Sequence, residues 1–243
     1  MNKERPKLGI VQSRGLGDIV IALPIAKHWH DAGWDVFWPI DANFLSSFQS
    51  VAPYVEFIPF NFTKTFEGFV MDPVKLLKAK GCQKILTLYS YLSSGCISDP
   101  VLANSLKFDE YKYAVSNVPF REKWELDIRR NSERETQLME HLVSQPDYVV
   151  THLTGSDFKC AYVPDAAHAK LPVVNIEAQS ESIFDWLKVI ENARHLYMVD
   201  SCFSNLVEQL NFTTPKTLYL RSEVRFTPVM RNGWNFAKAT PRK

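Results

Sequence analysis

Residues 7–18 read KLGIVQSRGLGD, and this stretch decides the fold class. Lys7–Gln12 is a short apolar run ending in a glycine-rich turn, which predicts a buried strand. Gly15 and Gly17 allow the backbone to turn tightly and a ligand to approach it closely. From Asp18 to Ala32 the apolar residues Ile19, Ala22, Leu23, Ala26 and Trp29 recur at helical spacing, and Gly33 stops the pattern. A strand, a glycine turn and a helix in that order open an α/β unit.

The alternation continues. Strands are predicted at Trp34–Ile40, Tyr54–Phe60 and Lys84–Tyr89, with helices at Asn43–Val51, Pro73–Lys80 and Pro100–Leu106. Arg121–Gln145 is dense in charge and predicted to be helical, with the solvated face such runs usually present. After Pro146 the pattern restarts. Strands are predicted at Asp147–His152, Pro172–Ile176, His195–Val199 and Lys216–Leu220, with helices at Ser182–Ala193 and Ser201–Leu210. The expected architecture is α/β, with two Rossmann-like parallel-sheet domains facing a cleft. The expected boundaries are a first domain at 1–145, a minimal second domain at 146–220, and a basic tail at 221–243 packing back on the first domain.

Composition narrows the function classes. The 243 residues are 46% hydrophobic and 23% charged, which excludes disorder, a collagen-like chain and a disulfide-stapled miniprotein. Lys+Arg is 28 against Asp+Glu 27, so no global field draws the chain to nucleic acid or anionic lipid. The cysteines at 82, 96, 160 and 202 form no C-x-x-C pair, so zinc and dithiol chemistry are not indicated. His28 and His30 lie two apart on a predicted helix and do not share a face. No apolar run approaches the roughly 20 residues that span a bilayer, and no signal peptide is evident. A cytoplasmic protein is expected, in which the sequons at Asn61 and Asn211 carry no meaning.

Three strand-to-loop junctions concentrate groups that suit an anion or a proton transfer. The first is Ser13–Asp18, with Arg14, Gly15 and Gly17 as a phosphate or acceptor loop. It lacks both the G-K-[ST] of a P-loop and a full G-x-G-x-x-G. Asp18 is either a helix N-cap or, beyond the carboxyl end of a strand, a general base. The second is Thr151–Lys159, which places Thr154, Ser156 and Lys159 in one hydroxyl-rich loop flanked by His152 and, further on, His168. The third is Val199–Asn205, where Asp200 and Ser201 end a strand and open a helix whose free N–H groups favour an anion.

Together, G-D-I-V-I-A-L-P, the T-x-x-x-x-K loop and the V-D-S turn resemble the GT-B glycosyltransferases. They are most similar to the heptosyltransferase-like group that builds lipopolysaccharide core. The resemblance implies that Asp18 is the catalytic base, with Pro24 matching the family proline. It implies that Thr154 and Lys159 grip the donor diphosphate, that Glu177 holds the nucleoside, and that Asp200–Asn205 contacts the diphosphate. Within that stretch Cys202, Phe203 and Asn205 replace the family Gly, Pro and His. The activity implied is transfer from a nucleotide-sugar to an acceptor hydroxyl with inversion. No cofactor or metal is implied, and the sequence contains no D-x-D. The acceptor implied is a saccharide or glycolipid. Alternatives are a hydroxylated base in DNA, tracked by the basic tail and the Arg129–Arg130 region, or a non-catalytic nucleotide- or sugar-binding role.

Overall fold

The computed structural model describes residues 4–92, 95–96, 99–155, 159–177, 180, 182–220 and 227–240. The chain forms two compact units, Met1–Arg129 and Arg130–Lys243.

In the first unit, Lys7–Val11 (β1) leads into Leu16–Asp31 (α1), Asp35–Asp41 (β2), Leu45–Gln49 (α2) and Val55–Phe60 (β3). Asp72–Ala79 (α3), Lys84–Thr87 (β4), Tyr91–Leu92 (β5) and Gly95–Cys96 (β6) follow, then Pro100–Ser105 (α4) and Phe108–Ser116 (α5). β3, β2, β1 and β4 form one sheet in that order, and every pair is parallel. Its core includes Val11, Phe37, Val70, Leu77 and Tyr89. Residues Ile19–Ala26 of α1 are buried without interruption, so this helix is enclosed on all sides and not amphipathic. Pro24 lies inside it and has no N–H to give. Nearby, the Tyr113 hydroxyl donates to the Ile21 carbonyl at 2.9 Å.

In the second unit, Ser132–Leu142 (α6) precedes Val149–His152 (β7), Val173–Asn175 (β8), Leu187–Glu191 (α7) and His195–Val199 (β9). Cys202–Gln209 (α8), Lys216–Leu220 (β10) and Trp234–Lys238 (β11) complete it. The sheet order is β11-β10-β9-β7-β8, again all parallel. No helix lies between Lys159 and Val173. Tyr197 fastens that crossover instead: its hydroxyl accepts from the Asp165 N–H at 3.0 Å and meets His168 Nδ1 at 2.8 Å.

Both strand orders have a defined reversal. The first sheet reverses direction of growth between β1 and β4, the second between β7 and β9. The crossover helices diverge at such a point, leaving a crevice beyond the carboxyl ends of the strands where α/β proteins hold ligands.

Three expectations are corrected. The charged stretch after Arg121 is not one helix. Phe120–Trp124 is a short 3₁₀ turn of the first unit, because Lys123 is drawn into the core by Asp109 at 2.6 Å. The helix begins again only where Asn131 caps it by accepting from the Arg134 N–H at 3.1 Å. The unit boundary accordingly falls at Arg129/Arg130 and not at 145.

Second, some of the charges of this stretch, which is otherwise largely exposed, are spent on ion pairs. Arg130 pairs with Glu135 at 2.5 Å and Glu191 at 3.0 Å, and Arg134 with Asp185 at 2.7 Å. These pairs tie α6 to α7 and to the turn before it, so Arg130 and Arg134 are engaged within the second unit.

Third, the described residues after 220, 227–240, are not a separate tail. Trp234–Lys238 is an edge strand of the second sheet. Buried Glu208 on α8 draws it in, accepting from the Arg231 N–H at 2.8 Å and Trp234 Nε1 at 2.8 Å. The expected tail residues Arg221, Arg225, Arg242 and Lys243 lie outside the described residues. Among the described residues, no helix is long and apolar enough to cross a membrane.

Candidate functional site

The first unit builds its groups at the β1/β4 reversal. The chain leaves β1 through Gln12 and Ser13, which are 1% and 0% exposed. Trp38 Nε1 donates to the Gln12 carbonyl at 3.1 Å, and the Asp41 N–H to the Ser13 carbonyl at 2.9 Å. The Tyr89 hydroxyl, just past β4, accepts from the N–H groups of Ser13 at 3.0 Å and Arg14 at 3.3 Å. Burial raises the Tyr89 phenol well above its ordinary range, so it stays neutral. Arg14 pairs with Asp41 at 3.3 Å and lies over the Phe62 ring at 5.1 Å.

Gly15, not Asp18, occupies the N-cap of α1, with φ at 83°. A side chain there would be strained by that angle and would also run into the Asp18 carboxylate. Asp18 sits in the first helical turn and makes no capping bond. Its Oδ1 pairs with Lys112 Nζ at 2.9 Å, and 37% of its side chain remains exposed. The capping alternative for Asp18 is therefore set aside: the carboxylate is held from across the crevice by α5. Gly17 lies within the same turn of helix.

The second unit builds its groups beyond the carboxyl ends of β8, β7 and β9. Thr154 and Lys159 form an antiparallel bridge that closes the loop after β7. Ser156 lies outside the described residues. Thr154, Lys159 and Glu177 line one pocket of about 240 Å³, with Leu153, Cys160, Asn175 and Ile176. The Thr151 hydroxyl donates to Asn175 Oδ1, which ties the ends of β7 and β8 together.

Beyond β9, Asp200 is 9% exposed. The Ser201 hydroxyl accepts from the Ser204 N–H at 3.4 Å, while Ser204 Oγ accepts from the Ser201 N–H at 2.9 Å: a capping box. Cys202 opens α8, and burial pushes its thiol up to about 12 despite the N–H groups of Cys202 and Phe203 beside it. Where a glycine would leave those N–H groups open, a protonated sulfur stands against them. Asn205 is 3% exposed and spends its amide N–H on the Ser201 carbonyl at 2.9 Å. It fastens the turn from inside.

One residue links the two loops. His152 Nδ1 lies 3.0 Å from Ser201 Oγ, and its ring packs on Phe203 at 4.8 Å. Burial pushes His152 down to about 4, so it is neutral at pH 7. Because its ordinary value is 6.5, the unfolded chain binds a proton that the folded chain refuses. Stability is therefore complete above about pH 6.5 and declines as the pH falls towards 4. Between pH 7 and 5 this one group is expected to remove about 2 kcal/mol. Denaturant titrations at the two pH values check it: His152→Gln should show a smaller loss than the wild type, and an equal loss would refute the assignment.

No family model matches the chain, and no curated protein matches its sequence. Solved structures do. A family 9 glycosyl transferase from Veillonella parvula superposes with a TM-score of 0.65 at 11% identity, covering 100% of this chain and 90% of that one. The ADP-heptose lipopolysaccharide heptosyltransferase II of E. coli gives 0.63 at 11%, covering 96% and 90%. E. coli heptosyltransferase WaaC, solved with ADP-2-deoxy-2-fluoro heptose, gives 0.53 at 12%, covering 95% and 92%. The fold is that of the heptosyltransferases.

Against the heptosyltransferase resemblance, the structure brings Thr154, Lys159 and Glu177 together and places Asp200, Ser201 and Cys202 at the neighbouring turn. Asp18, Arg14 and Gly15 share the β1 turn of the other unit. Sequence reasoning left out Lys112, Gln12, Tyr89 and Asp41. Lys112 lies on α5, a helix the periodicity did not disclose because Asp109, Lys112 and Ser116 are polar yet buried. His152 carried one signal, its place at the end of a predicted strand.

Proposed function

We propose that this chain is a nucleotide-sugar-dependent inverting glycosyltransferase. The observation that carries the reading is the convergence of Thr154, Lys159 and Glu177 on one pocket, within a fold shared along the whole chain with heptosyltransferases. The donor is a nucleoside-diphosphate sugar and the acceptor a saccharide or glycolipid hydroxyl. Lys159 and the Thr154 hydroxyl hold the diphosphate, and Glu177 the nucleoside ribose. The positive end of the α8 dipole adds potential for the anion.

In the reaction the acceptor oxygen forms a bond to the anomeric carbon as the carbon–oxygen bond to the diphosphate breaks. The electron pair of that bond leaves with the nucleoside diphosphate, and the acceptor proton goes to Asp18. Attack opposite the leaving group inverts the anomeric centre. Lys159, with the positive end of the α8 dipole, carries the charge that develops on the departing diphosphate, so no metal ion is assigned a part.

Thermal unfolding with ADP-heptose and a set of other nucleoside-diphosphate sugars tests the donor half. A ligand at about 100 times its Kd adds about 2.7 kcal/mol to the stability of the fold. Lys159→Ala is expected to weaken the best donor about ten- to a hundredfold, the value of one charge-assisted hydrogen bond. If no nucleotide-sugar raises the melting temperature, or Lys159→Ala binds as tightly as wild type, the reading is wrong.

A further inference from the structure

The ammonium of Lys112 is committed on all sides. Only 4% of the side chain is exposed. Its Nζ donates to Gln12 Oε1 at 2.7 Å, to the Leu88 carbonyl at 3.2 Å, and pairs with Asp18 Oδ1 at 2.9 Å. A lysine ammonium has three N–H donors, and here three acceptors take them. Those acceptors come from three places: the end of β1, the residue following β4, and the first turn of α1. Lys112 thus ties together both walls of the β1/β4 crevice.

The arrangement extends one step further. Gln12 Nε2 donates to the Arg14 carbonyl at 2.8 Å, so the amide that meets Lys112 also fixes the turn leading to Asp18. On the other side of the carboxylate, Gly15 presents no Cβ. A partly exposed aspartate in a first helical turn would ordinarily exchange rotamers freely. Here one oxygen is tied to a buried cation and the other lies against a glycine.

We propose that Lys112, supported by Gln12, is the positioning residue that holds the Asp18 carboxylate in the orientation from which it accepts the proton. The inference rests on the reading of Asp18 as the proton acceptor in transfer. Lys112 touches no reacting atom; it acts through Asp18. Its removal leaves the carboxylate in place but free to turn, and misplacement of about 1 Å at a reacting centre costs about a hundredfold in rate.

The test is a double-mutant cycle with Lys112→Met and Asp18→Asn, read in both kinetics and thermal unfolding. Lys112→Met should lower kcat about ten- to a hundredfold and leave KM for donor and acceptor within about twofold. Added to Asp18→Asn, it should cost less than about twofold more, because there is no longer a base to position. A lysine with a purely structural role would slow both backgrounds equally, and that result, or a wild-type kcat in Lys112→Met, would overturn the proposal. The melting-temperature cycle needs no activity: the two substitutions should be non-additive if the pair forms in solution, and additivity would overturn it. If Lys112→Met does not fold, Lys112→Gln keeps N–H donors without the charge and is put through the same cycle. Failure of the reading itself looks different: Asp18→Asn alone would then turn over like the wild type.

Discussion

Replacing Asp18 by Asn is expected to lower turnover by about 10²–10⁴, the usual value of a general base. The substitution is nearly isosteric and keeps an oxygen for Lys112, so the β1 turn should retain its shape. Gly15 tolerates the amide as it tolerates the carboxylate, because no Cβ intrudes. Donor affinity should not change, since Thr154, Lys159 and Glu177 belong to the other unit. Initial rates with a saturating donor, together with a donor titration by thermal shift, separate the two quantities. A variant with near-wild-type turnover would remove Asp18 from the role. A variant that no longer binds donor would mean that the carboxylate serves the donor and not the acceptor.

The second large effect concerns stability. Asp109 and Lys123 are both 0% exposed and lie 2.6 Å apart. Taking away one partner leaves the other as a buried, uncompensated charge, which costs about 3–5 kcal/mol. Lys123→Met should therefore lower the melting temperature by ~10 °C or more. The double replacement Asp109→Leu with Lys123→Met removes both charges and should recover most of that loss, since burying two ions is itself costly. Calorimetry of the three variants decides it; a double variant no more stable than the single one would show that the pair contributes more than mutual neutralisation. The effect bears on the site as well. Asp109 and Lys112 are one turn apart on α5, so loosening the first is expected to loosen the second.

What could be read beforehand follows from local physics. β9 and β10 were legible to the residue, because after His195 and Lys216 the runs LYMV and TLYL are short and rich in apolar and β-branched residues, the pattern of a strand buried on both faces. The Ser201 cap was legible because a hydroxyl followed by a helix satisfies an N–H that would otherwise be orphaned. α5 was not legible. Its buried face carries Asp109 and Lys112, whose partners lie 14 and 100 residues away, and no periodicity reports a polar group satisfied at that distance. β11 was hidden for the same reason: Trp234–Lys238 reads as a basic tail until Glu208 of α8 gathers it in.

Sequence alone determined the alternation of strands and helices, the glycine turn before α1, and the three junctions where polar groups collect. Each depends on residues close together in the chain, where backbone conformation and side-chain pattern act directly. Tertiary structure alone decided that Asp18 is an ion-paired carboxylate and not a cap, that Arg130 and Arg134 are spent on docking a helix, and that Asn205 faces inward. Those outcomes turn on which charges meet after the chain has folded, and a charge carries no local mark of its future partner.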